Sequence, residues 1–196
     1  MEPQRIAILG GTGFIGSHLV PRLAAQGHWI TVLSRNREQH RALLVLPNAP
    51  IVNVDPYDRS ALAKRLAGHD AVINLVGILN ETRGARFARA HVDLTATVIA
   101  ACREAGVTRL QQMSSLNAGS TASKYLKTRG EAETLVKNSG LDWTIHRPSI
   151  VYGRGDGLVA RFHALLKLSP VLPLARPRAR IGPVFGGDVC GAVARC

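Results

Sequence analysis

The sequence contains few cysteines, few aromatic residues and no long apolar run. Its three cysteines, Cys102, Cys190 and Cys196, are odd in number and unclustered, which argues against a disulfide framework or a zinc site and favours a reducing compartment. No apolar segment approaches the roughly 18–20 residues that a membrane-spanning helix needs. Because the N-terminus leads directly into a strand-like segment, we expect no signal peptide. These features predict a cytoplasmic protein, with a position at the membrane surface as the alternative.

Carboxylates are also scarce. The chain has 25 Lys and Arg against 13 Asp and Glu, a formal net charge of +12. Residues 81–196 hold 17 of the cations and only 8 of the acids. Such an excess is typical of proteins that bind a phosphorylated ligand, an acidic protein, an anionic membrane surface or nucleic acid. Nucleic acid is the least favoured, because Arg176, Arg178 and Arg180 lie among prolines without the interleaved aromatic residues of a single-strand groove.

A second group of cations precedes the middle of the chain. Arg83, Arg86 and Arg89 follow one another at helical spacing, which is typical of a solvated basic face, with contact to a phosphate or a partner as the alternative. We interpret His91 as a capping or solvated residue. The histidines show no metal-ligand spacing with cysteines or carboxylates, so no metal is expected.

Apolar β-rich segments alternate with helical patterns along the chain. The predicted strands are Arg5–Gly10, Trp29–Ser34, Ile51–Val54, Ala71–Val76, Arg109–Ser114 and Trp143–Arg147. The predicted helices are Phe14–Gln26 (bent at Pro21), Arg37–Leu46, Arg59–Ala67, Arg86–Ala105 and Ser123–Asn138. Several strands are apolar without alternation, as in a sheet covered on both faces. The pattern predicts an α/β fold of Rossmann type, a doubly wound parallel sheet with helices on both faces.

A glycine-rich turn joins the first strand to the first helix. Its sequence is GGTGFIG, from Gly10 to Gly16. Glycines at this spacing permit a tight turn and a close approach of a pyrophosphate to the backbone at a helix N-terminus. We therefore predict dinucleotide binding, with a glycine-rich turn that binds nothing as the alternative. The predicted contacts are Gly10, Thr12, Gly13, Phe14, Ile15 and Gly16.

The end of the second strand indicates which dinucleotide is bound. NAD sites usually carry an acidic residue there, about 20 residues after the glycines, to bind the ribose 2′-hydroxyl. Here the strand ends in Ser34, Arg35 and Arg37 with no carboxylate. A hydroxyl and two guanidinium groups suit a 2′-phosphate. The sequence favours NADP(H) over NAD(H), with two solvated loop arginines as the alternative.

Four ordered motifs resemble an extended or atypical short-chain dehydrogenase/reductase of the NAD-dependent epimerase/dehydratase kind. They are the glycine turn, Leu75–Gly77, Met113–Ser115 and Arg147–Gly153, each placed after a predicted strand. Within that superfamily, three stretches are most similar to the branch of the mitochondrial complex I alpha-subcomplex subunit nine and its bacterial relatives, namely Gly10–Arg22, Lys127–Glu133 and Arg161–Pro183. Members of that branch are longer, so the resemblance implies that the C-terminal region here is incomplete.

The resemblance also implies a set of reactive residues. In that superfamily a Tyr-x-x-x-Lys pair transfers a proton, and a Ser or Thr at the end of the fifth strand orients the substrate carbonyl. Tyr125 matches the tyrosine, and Ser114 or Ser115 matches the hydroxyl. Arg129 stands where the lysine is expected, and a guanidinium does not reproduce an ammonium point charge. Whether the protein is an enzyme therefore stays open.

Further cofactor contacts follow from the same resemblance. It implies that Asp55 lies at the adenine, that Leu75, Val76 and Gly77 pass the ribose and pyrophosphate, and that Pro148 and Ile150 lie beside the nicotinamide. A turn aspartate and ordinary strand-end packing are the alternatives. Residues 1–153 are expected to form the NAD(P)-binding domain and residues 154–196 the start of a C-terminal substrate-side region.

Three functions are compatible with this pattern. The first is a structural or assembly role, as in a complex I accessory subunit, in which bound cofactor stabilises the fold and the basic region after residue 80 contacts an acidic protein or a membrane surface. The second is an active NADP-dependent reductase, epimerase or dehydratase that uses Tyr125 on a small-molecule or nucleotide-sugar substrate. The third is a dinucleotide redox sensor. The first is favoured because of Arg129.

Overall fold

Six parallel strands form the central sheet of the protein. The computed structural model describes residues 2–35, 46–156, 165–167 and 182–196. The sheet has the order β3-β2-β1-β4-β5-β6, and every neighbouring pair is parallel. The predicted Rossmann-type sheet is confirmed. Its strands are β1 Arg5–Leu9, β2 Trp29–Ser34, β3 Ile51–Asn53, β4 Ala71–Asn74, β5 Arg109–Met113 and β6 Asp142–His146.

Helices follow strands β1, β3, β4 and β5, and a further helix begins at Gly186. They are α1 Phe14–Ala25, α2 Arg59–Leu66, α3 Leu94–Ala105, α4 Lys124–Lys137 and α5 Gly186–Val193, and a π-helical turn over Ala88–Asp93 leads into α3. Helix α1 continues through Pro21. The helix predicted over Arg37–Leu46 falls almost entirely outside the described residues. None of the helices in the described segments is long and apolar enough to cross a membrane.

The apolar residues of β1 serve two separate cores. Ile6 and Ile8 pack on one face of the sheet, whereas Ala7 and Leu9 pack on the other. Successive side chains of a strand point to opposite faces, so a strand that is apolar throughout must be covered on both sides. Helices α1 and α5 cover the first face, and α2, α3 and α4 cover the second.

The C-terminal helix belongs to the first of these cores. Val189, Cys190 and Val193 of α5 are buried there together with residues of α1. Arg22 of α1 donates a hydrogen bond of 3.1 Å to the carbonyl of Gly187. Just before α5, a two-residue strand β8 (Val184–Phe185) pairs in parallel with β7 (Val151–Tyr152). The sequence pattern predicted neither of these short strands.

The order of the strands reverses at β1. This strand pairs with β2 on one side and with β4 on the other, so the following connections leave the sheet in opposite directions. A crevice forms at the carboxyl ends of strands where the order reverses, and open α/β sheets bind their ligands there. The glycine turn lies directly after β1, at this point of the sheet.

Candidate functional site

A large cleft opens at the carboxyl ends of β1 to β4. Its volume is about 940 Å³, and its walls come from the glycine turn, the ends of β2 and β3, the segment after β4 and the π-helical turn. The structure brings nine residues predicted as cofactor contacts to this cleft. They are Gly10, Thr12, Gly13, Ser34, Arg35, Asp55, Leu75, Val76 and Gly77.

The glycine turn has a geometry that only glycine satisfies at two positions. Gly10 has φ of +73°, and a Cβ there would lie 3.0 Å from the backbone nitrogen of Val76. A Cβ at Gly16 would lie 2.4 Å from backbone atoms of Gly11. The first glycine therefore lets the turn approach the β4 segment, and the last lets α1 pack against the turn.

Helix α1 begins immediately beside the cleft. Gly13 is its N-cap, without a side-chain cap, and the first turn has no acidic residue. The first N–H groups of a helix have no intrahelical acceptor and attract anions. Phe14, Ile15 and Gly16 form this turn but do not line the cleft. The aromatic ring of Phe14 instead packs towards Gly186.

The ends of β2 and β3 form the outer wall. Arg35 is exposed and lines the cleft, whereas Arg37 lies outside the described residues. Asp55 accepts a 3.0 Å hydrogen bond at Oδ1 from the backbone N–H of Tyr57. Tyr57 also lines this wall, although the sequence pattern did not indicate it. The guanidinium carbon of Arg89 lies over its ring, 4.7 Å from the centroid.

Arg129 links the ends of β4 and β5. Its side chain is only 6% exposed, and its Nη1 donates to the carbonyl of Met113 at 3.1 Å and to that of Val76 at 3.4 Å. A Cβ at Gly77 would lie 1.9 Å from Nη2, so glycine at this position is what gives the guanidinium its space. In the described part of the chain, Arg129 Nε and Ser115 Oγ are the buried side-chain atoms without a hydrogen-bond partner.

Ser114 belongs to a buried ionic network. Its hydroxyl donates a 2.7 Å hydrogen bond to Glu133, which is 2% exposed. Arg147 donates to both oxygens of this carboxylate, with Nε at 2.8 Å from Oε1, and Lys137 Nζ lies 3.6 Å away. Burial raises the pKa of Glu133, but the hydrogen bonds from Arg147 and Ser114 and the two positive charges outweigh it, so the pKa lies below its ordinary value.

Tyr125 packs among aromatic rings at the start of α4. The Tyr125 ring makes edge contacts with Phe87 at 5.7 Å and with His91 at 5.4 Å between centroids. The guanidinium carbon of Arg129 lies over the same ring at 5.4 Å. The ring of Tyr125, the predicted proton donor, therefore packs against the π-helical turn on one side. On another side it contacts Arg129, which stands where the catalytic lysine is expected.

His91 is buried, in contrast to the solvated histidine that the sequence suggested. It is 1% exposed, its Nε2 accepts from the backbone N–H of Ile78 at 3.4 Å, and its Nδ1 lies 2.9 Å from Thr128 Oγ1. Because Thr128 Oγ1 donates to carbonyls of its own helix, His91 donates through Nδ1. The pKa of His91 is lowered to about 4, mainly because burial disfavours the charged ring and in addition because of the positive charge of Arg129.

The remaining predicted residues lie outside the cleft. The carbonyl of Pro148 accepts from the backbone N–H of Leu116 at 2.8 Å, and that of Ile150 accepts from Val184 at 2.9 Å. Both follow β6 and hold neighbouring loops. No group of three His, Cys, Asp or Glu side chains in the described segments is placed to hold a metal ion.

The fold and the cleft together define a dinucleotide-binding protein of Rossmann type. Gly10 and Gly16 bring the turn close to the segment after β4 and to α1, which is the arrangement at a helix N-terminus that a pyrophosphate takes in this type of fold. The outer wall has a cation and no acidic residue at the end of β2.

A family model described as NAD(P)H-binding matches residues 10–162, and the chain belongs to this family. It is 31% identical over 193 residues to the NADH dehydrogenase (ubiquinone) 1 alpha subcomplex subunit 9 of Arabidopsis thaliana, covering 95% of this chain and 48% of that protein. It is 31% identical over 184 residues to a ceramide reductase of Caulobacter vibrioides, covering 93% and 57%. The chain thus spans about half the length of the curated relatives it matches.

Solved structures share the fold. The Bordetella bronchiseptica enzyme WbmH in complex with NAD⁺ has a TM-score of 0.84 at 21% identity, covering 99% of this chain and 72% of WbmH. The Escherichia coli NADPH-dependent quinone oxidoreductase QOR2 has a TM-score of 0.79 at 23% identity, covering 97% and 63%. The resemblance to short-chain dehydrogenase/reductases of the epimerase/dehydratase kind and to the complex I subunit branch is confirmed. NAD(P) binding is the shared property of this family.

Proposed function

We propose that this protein binds NADP(H) and has a structural or assembly role, in which the bound cofactor stabilises the fold. The observation that supports this most is the position of Arg129. Its guanidinium is buried and donates to the carbonyls that end β4 and β5. It therefore joins the ends of two strands through the protein's own carbonyl groups.

The arrangement is poorly suited to activating Tyr125. A catalytic lysine places a compact ammonium charge near the phenol oxygen, whereas arginine is planar and permanently charged and directs its N–H groups in a fixed fork. Here one arm of that fork contacts backbone carbonyls, and the guanidinium carbon lies over the ring of Tyr125. The hydroxyl of Ser114 already donates to Glu133. Two of the four predicted reactive groups thus have structural partners.

The preference for NADP(H) is supported by charge at the outer wall. The end of β2 carries Ser34 and Arg35 and no carboxylate, so the acidic partner that a free 2′-hydroxyl usually finds is absent from that strand. Asp55, the one acidic residue that lines the cleft in the described part of the chain, uses Oδ1 to fix its own turn. A 2′-phosphate would therefore meet positive charge.

The proposed partner is an acidic protein, contacted through the basic region after residue 80. The relatives named as complex I subunits motivate this choice, and residues 81–196 hold 17 cations against 8 acids. We expect such an assembly to form in the cytoplasm or at the membrane surface, and to weaken as ionic strength rises.

The test is to measure binding and turnover on the same preparation. We expect NADP⁺ and NADPH to raise the melting temperature, because a ligand that binds only the folded state stabilises it. We also expect no sustained NADPH oxidation with carbonyl substrates, in the wild-type protein or in Tyr125→Phe. Sustained turnover that Tyr125→Phe abolishes would contradict the structural role.

A second candidate is an NADP-dependent reductase acting on a lipid of the ceramide type. The identity of 31% to a ceramide reductase favours it, and the unpartnered hydroxyl of Ser115 would be available to orient a carbonyl group. Bound NADPH supplies a hydride in such chemistry. Tyr125 would then hold the proton that the product oxygen receives. Oxidation of NADPH that depends on a ceramide carrying a ketone group, with the corresponding alcohol as product, would support this candidate over the structural role.

A further inference from the structure

Two walls of the cleft meet in a contact between Tyr57 and Arg89. Tyr57 lies in the turn after β3, and Arg89 lies in the π-helical turn that precedes α3. The guanidinium carbon of Arg89 lies 4.7 Å from the centroid of the Tyr57 ring, and both residues line the cleft. A guanidinium stacked on an aromatic ring is attracted by the electrons of that ring. The contact thus places an exposed cation at a defined point of the site.

The cleft has more positive charge than a pyrophosphate requires. Arg35, Arg86 and Arg89 line it, and among the described residues Asp55 is the only acidic one in its lining. The glycine turn and the N-terminus of α1 offer backbone N–H groups to a pyrophosphate. Three guanidinium groups therefore remain in the cleft for a further anionic group.

The position of Tyr57 indicates which end of a dinucleotide would meet Arg89. In the order β3-β2-β1-β4-β5-β6, Tyr57 follows the strand at one edge. The glycine turn follows β1, and Tyr125 belongs to the connection between β5 and β6. A dinucleotide whose pyrophosphate lies at the glycine turn has its two nucleosides on opposite sides of β1. Arg89, held over Tyr57, lies on the side away from Tyr125 and thus on the adenosine side.

Stacking leaves the hydrogen-bonding edge of a guanidinium available. Arg89 uses its flat face against Tyr57, and among the described residues no acceptor is bonded to its N–H groups. These N–H groups lie in the plane of the guanidinium and match two oxygens of a phosphate. The ring of Tyr57 therefore acts as a support that orients the Arg89 fork.

We propose that Arg89, oriented by Tyr57, is a specificity-determining residue for the 2′-phosphate of NADP(H). The proposal rests on the cofactor proposed above and adds a contact from the helix after β4 to the expected contacts at the end of β2. Arg89 binds the phosphate through its N–H edge. Tyr57 has no charge of its own to offer and acts through Arg89.

The experiment measures the dissociation constants of NADP⁺, NAD⁺ and adenosine 2′,5′-bisphosphate by calorimetry at one ionic strength. For Arg89→Gln we expect binding of NADP⁺ and the bisphosphate to weaken about tenfold, with NAD⁺ changed less than about twofold. Arg89→Lys should lose only part of the affinity for NADP⁺, because lysine keeps the positive charge but lacks the planar pair of N–H donors. Tyr57→Ala should weaken NADP⁺ more than NAD⁺. The matched control is Arg83→Gln, an exposed arginine of the same segment that does not line the cleft.

The possible results separate this proposal from the cofactor proposal. Equal losses for NADP⁺ and NAD⁺ in Arg89→Gln would overturn the role of Arg89 and leave dinucleotide binding intact. Equal losses in Arg83→Gln and Arg89→Gln would assign the effect to general charge and would also overturn it. A wild-type protein that binds none of the three probes would overturn the cofactor proposal itself. Arg89 is exposed, so melting temperatures of the variants should stay close to that of the wild type.

Discussion

The two sides of the site differ in how their polar groups are used. The phosphate side, formed by the glycine turn, Arg35, Asp55, Tyr57 and Arg89, is an open cleft with exposed cations. The tyrosine side, formed by the side chains around Tyr125, is closed by internal hydrogen bonds. Its members are Ser114, Glu133, Arg147, Arg129, His91 and Thr128.

This difference predicts that the phosphate side serves ligand binding and the tyrosine side serves the stability of the fold. A group whose partners are all within the protein contributes to folding, and its removal leaves buried donors or acceptors unsatisfied. A group that faces an open cleft contributes little to folding and is available to a ligand. The phosphate side should therefore respond to substitution through affinity, and the tyrosine side through the free energy of unfolding.

The largest expected effect is the pH dependence contributed by His91. Its pKa is about 4 in the folded protein against an ordinary value of 6.5, so the unfolded chain binds its proton first as the pH falls. The stabilisation is complete above pH 6.5 and is lost as the pH falls towards 4. The loss should amount to about 3 kcal/mol in the free energy of unfolding.

Denaturant unfolding at several pH values measures this loss. Glu133 and His146, whose pKa values are also lowered, contribute with the same sign, so the His91 part is obtained by comparison with His91→Gln. An NMR titration of the His91 ring in the wild-type protein gives the folded pKa directly. A ring that titrates near 6.5 would show that this part of the tyrosine side is open to solvent.

The next effect concerns Arg129. Replacement by Met removes the donor to the carbonyls of Val76 and Met113 and should destabilise the protein by about 1–3 kcal/mol. Lys127→Met, an exposed position of the same helix, should change stability by no more than about 0.5 kcal/mol. Chemical denaturation measures both. If Arg129→Met folds as stably as the control, the guanidinium does not join the two strands.

A smaller effect on free energy is expected on the phosphate side. Arg35→Gln should weaken NADP⁺ binding about tenfold and NAD⁺ binding less than about twofold, with an unchanged melting temperature because Arg35 is exposed. Arg65→Gln removes the same charge from an exposed position outside the cleft and serves as the control. If Arg35→Gln lowered the stability and left the NADP⁺ affinity unchanged, Arg35 would contribute to folding and not to binding, which would contradict the distinction between the two sides.

The smallest expected effect is that of Ser115→Ala, which is compared with the same change at its neighbour Ser114. Ser115→Ala removes a buried hydroxyl that has no partner, so stability should stay the same or rise by less than about 1 kcal/mol. Ser114→Ala removes a hydrogen bond to the buried carboxylate of Glu133 and should cost about 1–2 kcal/mol. Thermal unfolding compares the two variants. Loss of a reductase activity in Ser115→Ala would instead assign its hydroxyl to a substrate.

The sequence predicted the sheet and the glycine turn well because their signals are local. Strands buried on both faces are continuous apolar segments, and the turn from Gly10 to Gly16 is recognisable within seven residues. The end of β2 was equally readable, since Ser34 and Arg35 follow directly on the strand. All of these depend on neighbours along the chain.

The contacts of the tyrosine side were not predictable in this way. Arg129 bonds to a carbonyl 53 residues away, and His91 bonds to Thr128 across 37 residues. A histidine at the start of a helix has the same local signature whether it caps the helix or is buried. The pairing of Tyr57 with Arg89 was missed for the same reason, although the spacing of Arg83, Arg86 and Arg89 had indicated a phosphate contact as one alternative.

The sequence by itself determined the strand–turn–helix at the start of the chain, the parallel sheet and the absence of an acidic residue at the end of β2. These follow from steric freedom at glycine, from the burial of apolar strands and from residue identity. The tertiary structure decided which of the positive charges are buried and which face the cleft. Desolvation and hydrogen bonding depend on distances in space, and they bury the guanidinium of Arg129 between two strands while they leave Arg35 and Arg89 facing the cleft.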